Sequence, residues 1–156
     1  MKKVMSLILV LVLALSAAGC GSAEPAETVK NVDLQSVYEG FEEKLPDMLV
    51  LDADTVMNMM GIRAEACSQM IVAVCADGLR TDEIWLLEAV DDESFQELSQ
   101  LADNRIQIKA DETRDYTPDQ YKVVEIAEVL RSGRYLALLV SPDVADFKTA
   151  WETAVN

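Results

Sequence analysis

Apolar positions along this chain change period several times, and each change marks an element. Leu34, Val37, Tyr38, Phe41 and Leu45 fall at helical spacing behind Asp33. They predict an amphipathic helix that Asp33 caps and Pro46 ends. Asp52 or Asp54 opens a short second helix, with Val56, Met59 and Met60 inward and Gly61 as its natural C-terminal residue. Met70 to Cys75 is continuously apolar and rich in Val and Ile, the mark of a strand buried on both faces. Asp77-Gly78 turns the chain, and Ile84 to Val90 is a second strand.

Asp91 and Asp92 open a long helix, with Phe95, Leu98, Leu101, Ala102 and Arg105 near one stripe. Thr117-Pro118-Asp119-Gln120 reads as a helix start. Thr117 is the cap, Pro118 the first helical residue, and Gln120 completes a capping box. Val123, Ile126, Ala127 and Leu130 form the inward face, and Gly133 stops the helix. Tyr135 to Val140 is a third apolar strand. Ser141-Pro142 repeats the cap-then-proline signal before a last helix lined by Val144, Phe147, Trp151 and Ala154. The order α-α-β-β-α-α-β-α predicts an α+β domain over residues 32–156, with a small, mainly antiparallel sheet of about three strands packed by helices. Strands apolar on both faces call for cover on both sides, from helices or from a partner chain. A homodimer is therefore open.

The N-terminus follows a different pattern. Lys2 and Lys3 precede an apolar run from Val4 to Leu15, followed by the small residues Ser16, Ala17, Ala18 and Gly19. Basic, apolar and small segments in that order make a secretory signal over residues 1–19. The run is short of the roughly 20 residues a membrane span needs. Cys20 stands directly after the small residues, an arrangement that resembles a lipobox, although Ala17 replaces the usual leucine. In a lipobox the cysteine carries diacylglycerol and becomes the first mature residue. An ordinary signal cut after Ala18 or Gly19 is the alternative. Residues 20–31, with Pro25 among small and polar neighbours, read as a flexible tether.

Charge and histidine content narrow the function. Of 13 basic residues, Lys2 and Lys3 lie in the signal; the 11 that remain face 28 acids, a net charge of −17. So acidic a domain is repelled by nucleic acid and by anionic lipid. The chain has no histidine. That removes Ser-His-Asp and Cys-His catalysis and most zinc enzyme sites. Cys67 and Cys75 sit eight residues apart. On one extended strand that is about 26 Å, against the roughly 7 Å a disulfide allows. Both read as small apolar fillers.

Several short motifs now combine: a lipoprotein-type signal, Gly61-Ile62 closing a short helix, Asp82-Glu83-Ile84 opening a strand, and Arg105 on a long helix. Tyr116-x-Pro118, Gly133-Arg134-Tyr135 and a strand ending Val140-Ser141 follow. From about residue 32 to the end, the chain resembles the bacterial lipoproteins grouped as domain-of-unknown-function family 4358. The resemblance implies a secreted, lipid-anchored domain and no assigned activity.

Arg105 is the residue that would carry a site. Its stripe position sets the stem against the core, and its guanidinium suits a carboxylate or phosphate bidentately. The structural alternative is an ion pair with Glu83 or Glu88 and a snorkelling stem. Glu83, after Asp82 at a strand start, is the carboxylate that a cleft would use; a turn followed by an edge salt bridge is its plainer reading. Tyr116 and Tyr121 would stack on a ligand, or staple one helix end to its neighbour. Asp52-Ala53-Asp54 and Asp91-Asp92-Glu93 lack the spacing of a calcium loop and complement helix dipoles instead. Met57, Met59, Met60 and Met70 are core filler. No metal and no cofactor is called for.

Two function classes follow. One is a non-catalytic binding or assembly module, held at the outer face of the cell membrane by lipid on Cys20 and engaging an envelope protein or a small ligand. The other is a carboxylate-based hydrolase of cell-envelope glycans, which needs two placed acids and no histidine.

Overall fold

The computed structural model describes residues 31–156. The signal, Cys20 and nearly all of the tether lie outside the described residues.

Among the described residues ten regular elements follow one another: α1 (Leu34–Glu39), β1 (Met48–Val50), α2 (Ala53–Met60), β2 (Cys67–Cys75), β3 (Glu83–Ala89), α3 (Asp92–Thr113), α4 (Pro118–Glu125), β4 (Glu128–Ser132), β5 (Tyr135–Val140) and α5 (Val144–Val155). A single 3-10 turn, Ala64–Ala66, leads into β2. The domain is α+β as expected, but among the described residues the sheet has five strands, not about three. Its order is β1-β2-β3-β5-β4, and every pairing is antiparallel.

Both extra strands are edge strands. Residues 128–132, expected to continue a helix, form β4 instead. α4 stops at Glu125, and Leu130 pairs with Ala137 rather than lining a helix. Ile126, expected inward, is exposed. Gly133 is the first of the two residues joining β4 to β5, with φ of 55°. Glycine adopts that conformation without strain, so the residue closes a hairpin rather than a helix. β1 follows Pro46 and has only three residues, too few to show a period of two.

The helix starts follow the acids. Asp33, Asp52 and Asp91 each accept a backbone N–H of the first turn, from Gln35, Thr55 and Ser94. Thr117 does not cap α4 through its side chain. Gln120, expected in a capping box, instead accepts the N–H and hydroxyl of Thr81 at 2.9 and 3.1 Å. α1 ends at Gly40, short of Pro46. Turns then carry Phe41 inward to stack on Phe147, ring centroids 4.6 Å apart. Gly61 ends α2 with φ of 75° and returns its N–H to the Met57 carbonyl. Met59, expected inward, points to solvent while Val56 and Met60 are buried.

Helices of the same chain cover both faces of the sheet. On one, α1, the turns after it and α5 set Leu34, Phe41, Phe147 and Trp151 against Ile71, Ile84, Leu86 and Leu139. On the other, α2, α3 and α4 set Val56, Met60, Leu98 and Val124 against Val72, Trp85, Leu87 and Leu138. β3 and β5 are buried throughout, because they are central and covered twice. Each fully buried large side chain contributes about 1.5–3 kcal/mol. Cys67 and Cys75 are free thiols at opposite ends of β2. Burial pushes the Cys67 thiol up to about 11, which leaves it unreactive near neutral pH.

Candidate functional site

Period two places Glu83, the first residue of β3, on the same face as Trp85 and Leu87, under α3. On α3 the residues at 98, 102, 105 and 109 form one stripe. Its first half is apolar, and its second half brings Arg105 and Lys109 over Glu83. The Glu83 carboxylate is completely buried. Arg105 donates to both oxygens, Nε to Oε1 and Nη2 to Oε2, each at 2.8 Å. Lys109 Nζ lies 2.8 Å from Oε2 and donates to the Thr81 carbonyl at 2.9 Å. The Trp85 indole N–H donates to Oε1 at 2.7 Å. Thr81 is in turn held by Gln120 of α4. One carboxylate thus ties together β3, α3 and, through Thr81, α4.

Electrostatics favour the ionised carboxylate. Burial alone would raise the Glu83 carboxyl. The Arg105 hydrogen bonds and the charges of Lys109 and Arg105 outweigh it and hold the group below its ordinary value of 4.5. Burial opposes the Arg105 charge too, yet Glu83, with Glu112 nearby, raises the guanidinium above its ordinary value. A carboxylate can accept about four hydrogen bonds, and here four donors occupy it.

Of the residues expected in a site, the structure joins Arg105 and Glu83. The pair forms the structural alternative to a ligand clamp. Glu88, the other candidate mate for Arg105, is held elsewhere, by Gln69 at 2.8 Å and Arg134 at 3.4 Å. Gln69 also clasps the start of the domain, accepting the Leu34 N–H and donating to the Val32 carbonyl. Tyr121 stacks under Arg114, whose guanidinium carbon is 5.5 Å from the ring centroid. Tyr116 is 85 % exposed and joins neither group. Lys109, Thr81 and Trp85 were missed by sequence reasoning. Lys109 was within reach, since it follows Arg105 by one helical turn. Asp82 is buried beside the cluster in a bidentate pair with Arg80, at 2.9 and 3.2 Å. Among the described residues, no group of three or more His, Cys, Asp or Glu is arranged to hold a metal. No described helix is long and apolar enough to cross a membrane.

Fold and cluster define an α+β domain of three layers, with a charged tie between its central strand and its longest helix. Residues 41–141 match the family described as Domain of unknown function (DUF4358), and the chain belongs to that family. The match spans β1 through β5 and leaves α1 and α5 outside it. No curated protein and no solved structure matches the chain.

Proposed function

We propose that the chain is a lipoprotein anchored through Cys20 at the outer face of the cell membrane, and that its folded domain is a non-catalytic binding or assembly module. The observation carrying the second part is the closure of the Glu83 cluster. A glycan hydrolase needs one carboxyl that keeps its proton near neutral pH and another free to attack or to activate water. Glu83 is the most deeply buried acid described, and it is held ionised with all its acceptor positions used. Arg105 is spent on the same pair, so an anionic ligand would have to displace a buried carboxylate to reach it. The signal pattern of residues 1–20 supports the anchor.

The test is fractionation of cells expressing the wild type or Cys20→Ala. Wild type is expected in the membrane fraction, and Cys20→Ala in the medium or the soluble envelope fraction. Cys20→Ala protein that stays with the membrane would reject the lipid anchor. Purified chain incubated with cell-wall glycan is expected to release no reducing ends above a buffer control; their release would instead establish the hydrolase.

A further inference from the structure

The two edges of the sheet differ. At β4, Glu128 pairs with Lys148 and Arg131 with Asp103, so charged side chains guard that edge against further pairing. At β1 the strand is Met48-Leu49-Val50. Leu49 is 54 % and Val50 59 % exposed, one on each face of the sheet.

Register fixes the backbone groups that face outward. The Asp47 carbonyl accepts the Ala76 N–H, and the Leu51 N–H donates to the Val72 carbonyl. Residues 47, 49 and 51 therefore turn toward β2, while Met48 and Val50 turn their N–H and C=O to the open side. The described residues place no strand there.

The charges that flank the strand are acidic, and Lys44 of the preceding turn is engaged by Asp146. Asp47 precedes the strand and Asp52 follows it. Glu42 and Asp47, with Tyr38 and Met48, line an open hollow of ≈ 210 Å³ beside its start. Neither Glu42 nor Asp47 is ion-paired among the described residues, and both are exposed.

We infer that β1 is a docking strand for an extended segment of another protein, apolar at its centre and carrying Lys or Arg at its ends. The segment adds as a sixth strand on the Met48 and Val50 backbone, and a basic side chain enters the hollow at Glu42 and Asp47. This rests on the binding-module reading and gives its surface and partner chemistry. A second copy fits the edge poorly. Antiparallel self-pairing about Leu49 brings the acids of both chains together, on molecules of net charge −15 each. Only two residues offer outward backbone groups, so the apolar and charged contacts must supply the selectivity.

The probe is a seven-residue peptide of alternating valine and threonine with a lysine at each end. It is titrated into the full-length ¹⁵N-labelled chain in non-ionic detergent and followed by NMR. Saturable shifts are expected at the Met48 and Val50 amides. Val50→Pro removes an outward N–H and leaves the β1–β2 ladder intact, and it is expected to weaken binding at least tenfold. Asp47→Lys, at an exposed position, is expected to do the same, and glutamate in place of the peptide lysines to abolish binding. Unshifted Met48 and Val50 amides at millimolar peptide, or wild-type affinity in both variants, overturn the inference. So does a doubled mass that Val50→Pro abolishes, which would assign the edge to a second copy. Shifts confined to another face reject the β1 edge while leaving the binding-module reading in place. That reading falls separately, by glycan cleavage.

Discussion

Glu83→Ala is expected to cost about 3–5 kcal/mol of folding stability, the range for removing one partner of a buried ion pair. The loss comes from what remains. Arg105 and Lys109 would lose the buried carboxylate that pairs them, and the Trp85 indole N–H would have no acceptor. Domains of this size hold about 5–15 kcal/mol in all, so the variant should unfold at a clearly lower urea midpoint. Glu83→Gln should fall between, because an amide oxygen still accepts but carries no charge. Replacing the whole group, Glu83→Leu with Arg105→Met and Lys109→Met, should recover the part due to stranded charge. Recovery should stay incomplete, because the Trp85 N–H and the Thr81 carbonyl lose their partners. Urea unfolding followed by circular dichroism measures all three. A Glu83→Ala domain as stable as wild type, or more so, would contradict a structural tie and point to a strained site kept for a ligand.

Trp151→Ala should cost a similar amount, about 3–5 kcal/mol, by a different route. Trp151 is buried on the other face of the sheet, among Leu34, Phe41 and Phe147. Truncation opens a cavity between α5 and the sheet, and neighbours close it only in part. α5 lies beyond the matched family region, so this variant also asks whether the flanking helices are integral to the domain. A fall of under about 1 kcal/mol in the same unfolding assay would mean that α5 packs as an appendage.

The sequence is most legible where one physical signal dominates. Acids before helices marked the starts of α1, α2 and α3 because an N-cap has few chemical solutions. The apolar runs of β2, β3 and β5 were plain because central strands are covered twice. β4 is hidden in the sequence: Leu130 fits a helical stripe with Val123, Ile126 and Ala127 as well as it fits a strand. What decided it was pairing with β5 through the Gly133 turn, a tertiary preference that a local window does not contain. β1 was too short for any period. In the site, Arg105 with Glu83 was readable from a helix stripe and a strand start. Gln120 suits a capping box by its local sequence, but the partner it takes is Thr81, on a distant segment. Tyr116 stays exposed, since an aromatic beside a helix start has no reason of its own to face inward.

Glu83 is a closed tie, held ionised at neutral pH. Because its carboxyl is held below 4.5 in the folded state, the stability it provides is present above that pH. It is lost as pH falls through the unfolded value toward the folded one. The direct measurement is a ¹³C NMR titration of the glutamate carboxyls, with Glu83→Gln assigning the resonance and urea unfolding run in parallel at each pH. The account predicts that Glu83 remains ionised from neutral pH to below 4.5, protonating only as the domain loses stability, and that Glu83→Gln flattens this acid limb. A Glu83 midpoint between 4.5 and neutral, in a domain still fully folded, would contradict it and make this carboxyl an available acid.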